Sequence, residues 1–258
     1  MKVSAVLIAR DEASRIGRCL ESLRWVDEVV VVVDDATRDE TERLAREAGA
    51  RVFVRAFDSF SGMRAFADEQ ATGDWVLSVD CDEVVSAPLA DEVRSVLDSP
   101  HTAFRVPHLD WMFGRWIRHG GWTPQYHYRL YRRGRAQWAR PIHERVEFEG
   151  SIGTLREPLL HFSHLRVSDF VNKMARYTTT EAEANLAAGR STNLLRMLAE
   201  PPLYFGYKFV WQQGWRDGMH GFVLAVLMAT YRLLVHLKTW DLVQAKRGDR
   251  ESRECPPR

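Results

Sequence analysis

Cysteine is scarce in this sequence, with three residues at positions 19, 81 and 255 of 258. A set so few, odd in number and widely spaced makes neither a disulfide framework nor a zinc cluster, and it predicts a reducing compartment. An excess of one charge is also lacking: 36 Lys and Arg face 35 Asp and Glu, a net of +1. No general field therefore draws the chain to nucleic acid, and function must come from local sites. The apolar run Phe222 to Thr230 is far shorter than the roughly 20 residues that cross a bilayer. Lys2 to Arg10 reads as a strand leading into Arg10-Asp11-Glu12, so no signal peptide is expected. There is no internal repeat and no low-complexity segment. What is present is globular in composition, 45% hydrophobic and 28% charged, and long enough for one large domain or a domain with an appendage.

The first hundred residues alternate strand and helix patterns, which predicts parallel strands joined by crossover helices. Val3 to Ala9 is the first strand, followed by an amphipathic helix over Ala13 to Leu23 with Ile16, Leu20 and Leu23 on one face. Val29 to Val33 is unbroken valine, as in a central strand buried on both sides. A helix over Thr41 to Ala48, a strand over Arg51 to Val54 and a helix over Phe60 to Gln70 follow. A further helix is expected over 84 to 98. From there to about 165 the chain is rich in Arg, Trp, Tyr, His and Gly with short strand-like pieces. The last third is helical in pattern and ends in a polar tail, 248 to 258, expected to be disordered.

Chemistry concentrates where these strands end. Trp75, Val76, Leu77 and Val79 have the content of a buried strand, which runs out into Asp80-Cys81-Asp82. Open α/β sheets bind ligands beyond the carboxyl ends of their strands. Two carboxylates held there, one residue apart, suit a divalent cation that also holds a diphosphate. Asp34 and Asp35 end the valine strand, and Asp11, Glu12, Asp34 and Asp80 all emerge on one edge. Such a row repels itself unless a cation or a hydroxyl network offsets it. Thr37 and Asp39 stand at a helix entry, where Asp39 reads as a cap as readily as a ligand.

These segments (Ile8-Ala9-Arg10-Asp11-Glu12, Val33-Asp34-Asp35, and Gly73-Asp74-Trp75 through Asp80-Cys81-Asp82-Glu83) resemble the family 2 glycosyltransferases. Phe113-Gly114-Arg115-Trp116-Ile117-Arg118-His119-Gly120-Gly121-Trp122, Arg129-Leu130-Tyr131-Arg132-Arg133-Gly134 and Ile142-His143-Glu144 narrow the likeness to the branch with lipopolysaccharide core β-glucosyltransferases. The resemblance covers roughly residues 1 to 240. It implies an α/β GT-A fold, Rossmann-like, with a mostly parallel central sheet flanked by helices. Its catalytic domain would span 1–165, with a nucleotide-sugar half to about 100 and an acceptor half beyond. A helical, membrane-associating extension would span 166–247. The family's chemistry is inverting transfer from a nucleotide-activated sugar, here a UDP-hexose, with Mn2+ or Mg2+.

By that resemblance Ala9, Arg10, Glu12, Asp34 and Arg64 would surround the nucleotide. Asp80 would lie near ribose and metal, and Asp82 would be the principal metal ligand. The sequence departs from the family pattern at Ala36-Thr37-Arg38, where Gly-Ser-Thr is usual. Inverting transfer needs a base on the face opposite the leaving diphosphate. Glu144 is the candidate base and His143 a metal or diphosphate ligand, with Asp110 the alternative base. Arg129, Arg132 and Arg133 are candidate phosphate clamps, since guanidinium pairs with phosphate oxygens in bidentate fashion, and at least one of them is expected to be a solvated surface residue. Trp111, Trp116 and Trp122 are either an acceptor-sugar platform or ordinary core.

Residues 203 to 240 interleave aromatic and basic side chains, among them Lys208, Arg216, Arg232 and Lys238. This composition predicts helices in a membrane interface, on the inner face of the cytoplasmic membrane. Burial against the catalytic domain or a second subunit in a homo-oligomer is the other way to cover them. The expected acceptor is accordingly a glycolipid or oligosaccharide. A nucleotidyltransferase would carry a Gly-rich basic loop after the first strand, which Ala9-Arg10-Asp11-Glu12 is not. An inactive scaffold would not be expected to keep Asp80, Asp82 and Glu144.

Overall fold

The structure, a computed structural model, describes residues 1–139 and 145–254. Four strands, β1 (Val3–Ala9), β2 (Glu28–Asp34), β3 (Arg51–Arg55) and β4 (Trp75–Ser78), run parallel in the order β3-β2-β1-β4. They are joined by α1 (Ala13–Glu21), α2 (Thr41–Glu47) and α3 (Phe60–Gln70). The valine run is buried on both faces, because side chains alternate across a strand. Val31 and Val33 meet Ile16, Leu20 and Leu23 in one core, while Val30 and Val32 meet Met63 and Ala67 in another. Burying each such aliphatic side chain contributes about 1.5–3 kcal/mol.

Beyond β4 come the short β5 (Glu83–Val84) and α4 (Ala87–Val96). The Ser86 hydroxyl accepts from the Leu89 N–H at 3.3 Å and Pro88 fills the first turn, so this helix starts at Ala87, inside the span expected of it. Then follow β6 (Ala103–Met112), β7 (Arg115–Ile117), β8 (Gln125–Arg132), β9 (Ala136–Ala139), β10 (Arg145–Phe148), β11 (Ile152–Thr154) and β12 (Leu159–His164). The sheet continues from β4 as β8-β6-β12-β5, with antiparallel β4–β8 and β8–β6 pairs. The sheet is therefore mixed: its first four strands are all parallel, and beyond them the antiparallel pairs are joined by a parallel β11–β6 pair.

The chain divides into two compact units, and the division is not a single cut near 165. One unit comprises Met1–Asp110 and Pro124–Ser163, the other Trp111–Thr123 with everything from His164. The second unit is built on α5 (Val167–Ala187), α6 (Leu194–Gly206) and α7 (Gly218–Glu254). A π-helical turn, Tyr207–Trp211, and a 3-10 turn, Gly214–Asp217, join α6 to α7. Its core is Met112, Ile117, Phe170, Met174 and Leu224. Helical backbone continues to Glu254, through most of the tail expected to be disordered.

Three of the four basic residues expected to face a membrane turn inward instead, Lys208 donating to the Gly120 carbonyl at 3.1 Å. Arg232 pairs with Glu181 at 3.2 Å and also with Glu200, while Tyr231 donates to Glu181 at 2.6 Å. His236 lies 2.8 Å from Glu200. Lys238 donates to the Ala175 carbonyl at 2.7 Å and to Thr178 and Thr179 at 2.8 Å. These cations join three helices because two unpaired carboxylates between helices would otherwise lose hydration without compensation.

Candidate active site

The parallel register brings the acidic segments together. Ala9 pairs with Val33 and Val6 with Ser78, so β1, β2 and β4 reach the same edge. Arg10 follows Ala9 there and donates to the buried Asp34 at 3.2 Å, while Asp34 also accepts from the Ala36 N–H at 2.9 Å. Asp11, at φ 53°, accepts from the Arg38 N–H at 2.8 Å. Asp39 is a cap: it accepts from the Ala13 and Thr41 N–H groups, each at 2.9 Å. One side chain thus serves the starts of both α1 and α2.

Asp80 is gripped from two sides. Arg64, from α3, donates to its Oδ1 at 2.7 Å, and Arg129, from β8, donates to its Oδ2 at 2.6 Å. Burial disfavours the charged form, but the two guanidiniums outweigh it and hold the carboxyl well below its usual range. Arg129 also donates to the buried Glu83 at 2.5 Å. Burial pushes Glu83 upward, and Asp80 adds to the effect against the pull of Arg129. The aim of Arg129 comes from a bulge: Leu130 pairs with Phe104 and Tyr128 with Arg105, leaving Arg129 without a residue opposite. Bulges re-aim side chains in this way beside functional sites.

Asp82 faces different partners. Arg15 lies between two acids, 3.7 Å from Asp82 and 3.8 Å from Glu12. Burial pushes Glu12 upward, opposed by Arg15 and aided by Asp82. On the other side stands His161, whose Nε2 is 3.4 Å from Asp82 and whose Nδ1 is 2.6 Å from Asp110. Burial alone would lower the His161 pKa, yet the bonds to Asp110 and Asp82 push it up to about 10. His161 reaches this place because β12 pairs antiparallel with β5, setting His161 opposite Glu83. Two further imidazoles stack nearby, His108 and His127, with ring centroids 4.3 Å apart. Burial and then Arg129 push both toward the neutral form. His108 Nε2 lies 3.3 Å from Glu83, outside hydrogen-bond geometry.

The structure thus gathers Arg10, Glu12, Asp34, Arg64, Asp80, Asp82, Asp110 and Arg129 on one edge. Arg132 is not among them. Its guanidinium donates to the carbonyls of His101 and Ser99 at 3.1 and 2.8 Å and covers Trp75, closing the loop after α4. His143 and Glu144 lie outside the described residues. In the second unit Trp111 and Trp116 meet edge to face at 5.0 Å, and Trp122 packs on Phe170 at 6.1 Å. His161 is the residue the sequence reading misses; its only signal is a polar residue recurring in the apolar strand Leu159–His164.

Among the described residues no three His, Cys, Asp or Glu side chains are grouped to hold a metal ion alone. Asp82 offers a carboxylate oxygen, and His161, 3.4 Å away, would add a nitrogen once an arriving cation displaces the proton that Asp82 and Asp110 hold on its ring. Cations of the Mg2+ kind are commonly held by one or two carboxylates and complete their shell with substrate phosphates and water. An imidazole ligand tilts the choice toward a transition ion. The donor set therefore fits an ion that arrives with a diphosphate, and not a closed structural site. Cys19 and Cys81 are buried free thiols that burial keeps protonated.

Comparison with known proteins agrees with this geometry. Residues 4–154 match the family model described as glycosyl transferase family 2. The lipopolysaccharide core biosynthesis glycosyltransferase LpsC of Rhizobium meliloti (strain 1021) is 28% identical over 256 residues, covering 93% of each chain. The uncharacterized glycosyltransferase RP128 of Rickettsia prowazekii (strain Madrid E) is 28% identical over 93% of this chain and 87% of its own. Among solved structures, the mannosyltransferase PcManGT of Pyrobaculum calidifontis, in complex with GDP-Man and Mn2+, superposes with a TM-score of 0.52. That likeness has 14% identity and covers 93% of this chain and 87% of that one. Strand edge, acidic cluster and family model coincide on the same residues: the chain belongs to glycosyl transferase family 2 and has the GT-A fold.

Proposed function

We propose that this protein transfers a hexose, glucose by its sequence likeness, from a UDP-sugar to a lipopolysaccharide-core or related glycolipid acceptor, with inversion and with Mn2+ or Mg2+. The observation that carries the reading is the line Asp110–His161–Asp82 beside the doubly gripped Asp80, at the carboxyl ends of parallel strands. LpsC, named for lipopolysaccharide core biosynthesis, supports the acceptor class. Such an acceptor is held at a membrane, so the enzyme would work on the inner face of the cytoplasmic membrane.

In this reading Asp34 and Arg10 hold the nucleoside end of the donor. Asp82 and His161 hold the metal, which when bound offsets charge on the departing diphosphate. Asp110 fixes the ring of His161, so that one imidazole nitrogen faces Asp82. Arg64 and Arg129 keep Asp80 ionised and add positive charge beside the leaving group, where preorganised charge stabilises the transition state most. Glu144 deprotonates the acceptor hydroxyl, with Asp110 as the second candidate. The test is a melting-temperature screen of UDP-, GDP- and CDP-sugars with and without Mn2+, followed by transfer to truncated core oligosaccharide. A metal-dependent rise with a UDP-sugar and a β-linked product is expected. A shift with no nucleotide sugar would overturn the proposal.

A further inference from the structure

Resting on the reading that the acceptor is membrane-held, we propose that α6 and the π-helical turn after it lie along an anionic bilayer surface, anchored by Trp211 and Trp215, and that α7 does not cross the membrane. The first observation is what α6 leaves uncovered. Neither α6 nor the Tyr207–Trp211 turn contains a single buried residue. Leu194, Leu195, Leu198, Leu203, Val210 and Trp211 are all exposed, Leu195 to 75% and Trp211 to 79%. Scattered exposed apolar residues are ordinary, but a row along a whole helix marks an interaction surface. At 1.5 Å per residue the stretch 194–211 is about 27 Å long, an extended face and not a small pocket. Trp215 and Met219 continue it across the turn into α7.

The second observation is charge. Between Arg190 and Phe222 the only acidic residues are Glu200 and Asp217, and both are engaged within the unit. Glu200 is bound by Arg232 and His236. Asp217 is buried and accepts from the Arg118 and His119 N–H groups at 3.0 and 2.7 Å. Arg190, Arg196 and Arg216 remain exposed. Within this stretch the fully exposed charged side chains are therefore all cationic, the pattern that meets anionic headgroups. A second copy of the chain would bring the same face with no exposed acid to receive these arginines.

The third observation limits depth. The segment Gly214–Lys246 is long and apolar enough to cross a membrane by length and composition. Yet Gly218 to Arg232 spans only about 21 Å of helix, against about 30 Å of hydrocarbon. Arg232, His236 and Lys238 are then held by α5 and α6 through Glu181, Glu200, Thr178 and Thr179. A spanning α7 would carry that ionic layer into lipid, where unsatisfied charge is excluded.

The test is sedimentation of the intact protein with vesicles of phosphatidylethanolamine and phosphatidylglycerol, and with phosphatidylcholine alone. We expect pelleting with the anionic vesicles at low salt, a bound fraction that falls several-fold as salt is raised, and little pelleting with phosphatidylcholine. The double variant Val210→Ser/Trp211→Ser, at exposed positions that should not disturb folding, should lose most of this binding. Its Mn2+-supported UDP affinity in solution should not change, which separates this proposal from the catalytic one. Arg196→Glu gives a second, purely electrostatic variant with the same expected loss. Protein that stays in the supernatant with anionic vesicles, or binding untouched by both variants, would overturn the proposal. So would a dimer in solution that the double variant dissociates, or resistance of the cell-membrane fraction to alkaline carbonate.

Discussion

At the residue scale the two aspartates of Asp80-Cys81-Asp82 have separate tasks, because different cations face them. Asp80 already has a guanidinium on each oxygen, whereas among the described residues the Asp82 carboxylate meets a distant Arg15 and the His161 ring. Asp82→Asn should therefore weaken Mn2+-supported UDP binding sharply, measured by calorimetry, and barely alter UDP binding without metal. Asp110→Asn should lower metal affinity by about 10–100-fold, the usual scale for a group that orients a ligand. Glu144→Gln should leave donor affinity alone and cut turnover by about 10²-fold. If Asp110→Asn cuts turnover with metal affinity intact, the base is Asp110. The carboxylates were legible in the sequence because each follows a run of apolar β-formers. His161 was not, since what places it is a β12–β5 pairing across 78 residues of chain, written in no local pattern.

At the scale of elements the parallel half was readable and the antiparallel half was not. The valine run carries its own signal, and α3 spans the Phe60 to Gln70 expected of it, with Ser59 accepting from the Gly62 N–H at its start. Strands β6 to β12 are short and mixed in content, and register rather than composition decides their neighbours. Arg132 shows the cost: it looks like a phosphate clamp by type, but its position makes it a brace for backbone carbonyls. The helical turn between α6 and α7 depends on close backbone approach. A Cβ on Gly221 would collide with the Gly214 carbonyl, and one on Gly214 would come within 2.8 Å of the Lys208 carbonyl. Gly221→Ala should destabilise the protein by about 1–3 kcal/mol in denaturant unfolding. Gly17→Ala, inside α1 with nothing within 4 Å, should instead stabilise by roughly 0.5–1 kcal/mol.

At the scale of the whole molecule, acid should unfold the protein partly through Glu28. This carboxylate opens β2 and accepts from Ser4 Oγ at 2.6 Å, from the Thr72 N–H and hydroxyl at 2.8 and 3.0 Å, and from Arg51. Burial would raise its pKa, but these donors, Ser4 foremost, lower it to about 2. A depressed carboxylate stabilises the fold fully above its unfolded pKa and loses that contribution as pH falls toward the folded value. The contribution, at most about 3 kcal/mol, should be intact above pH about 4.5 and vanish toward pH about 2. The slope of stability against pH in that window should flatten in Glu28→Gln.

The chain passes from the sheet unit into the helical unit at Trp111, returns at Pro124 and leaves again at His164. The helical part therefore cannot be trimmed off as an appendage. A protein stopped at Ser163 would keep Met112 and Ile117 but lose Phe170, Met174 and Leu224, the side chains that cover them. Such a truncation, attractive for obtaining a smaller soluble catalyst, should express as aggregate. A single protease nick in the loop after α5 should leave the fragments together until denaturant is added.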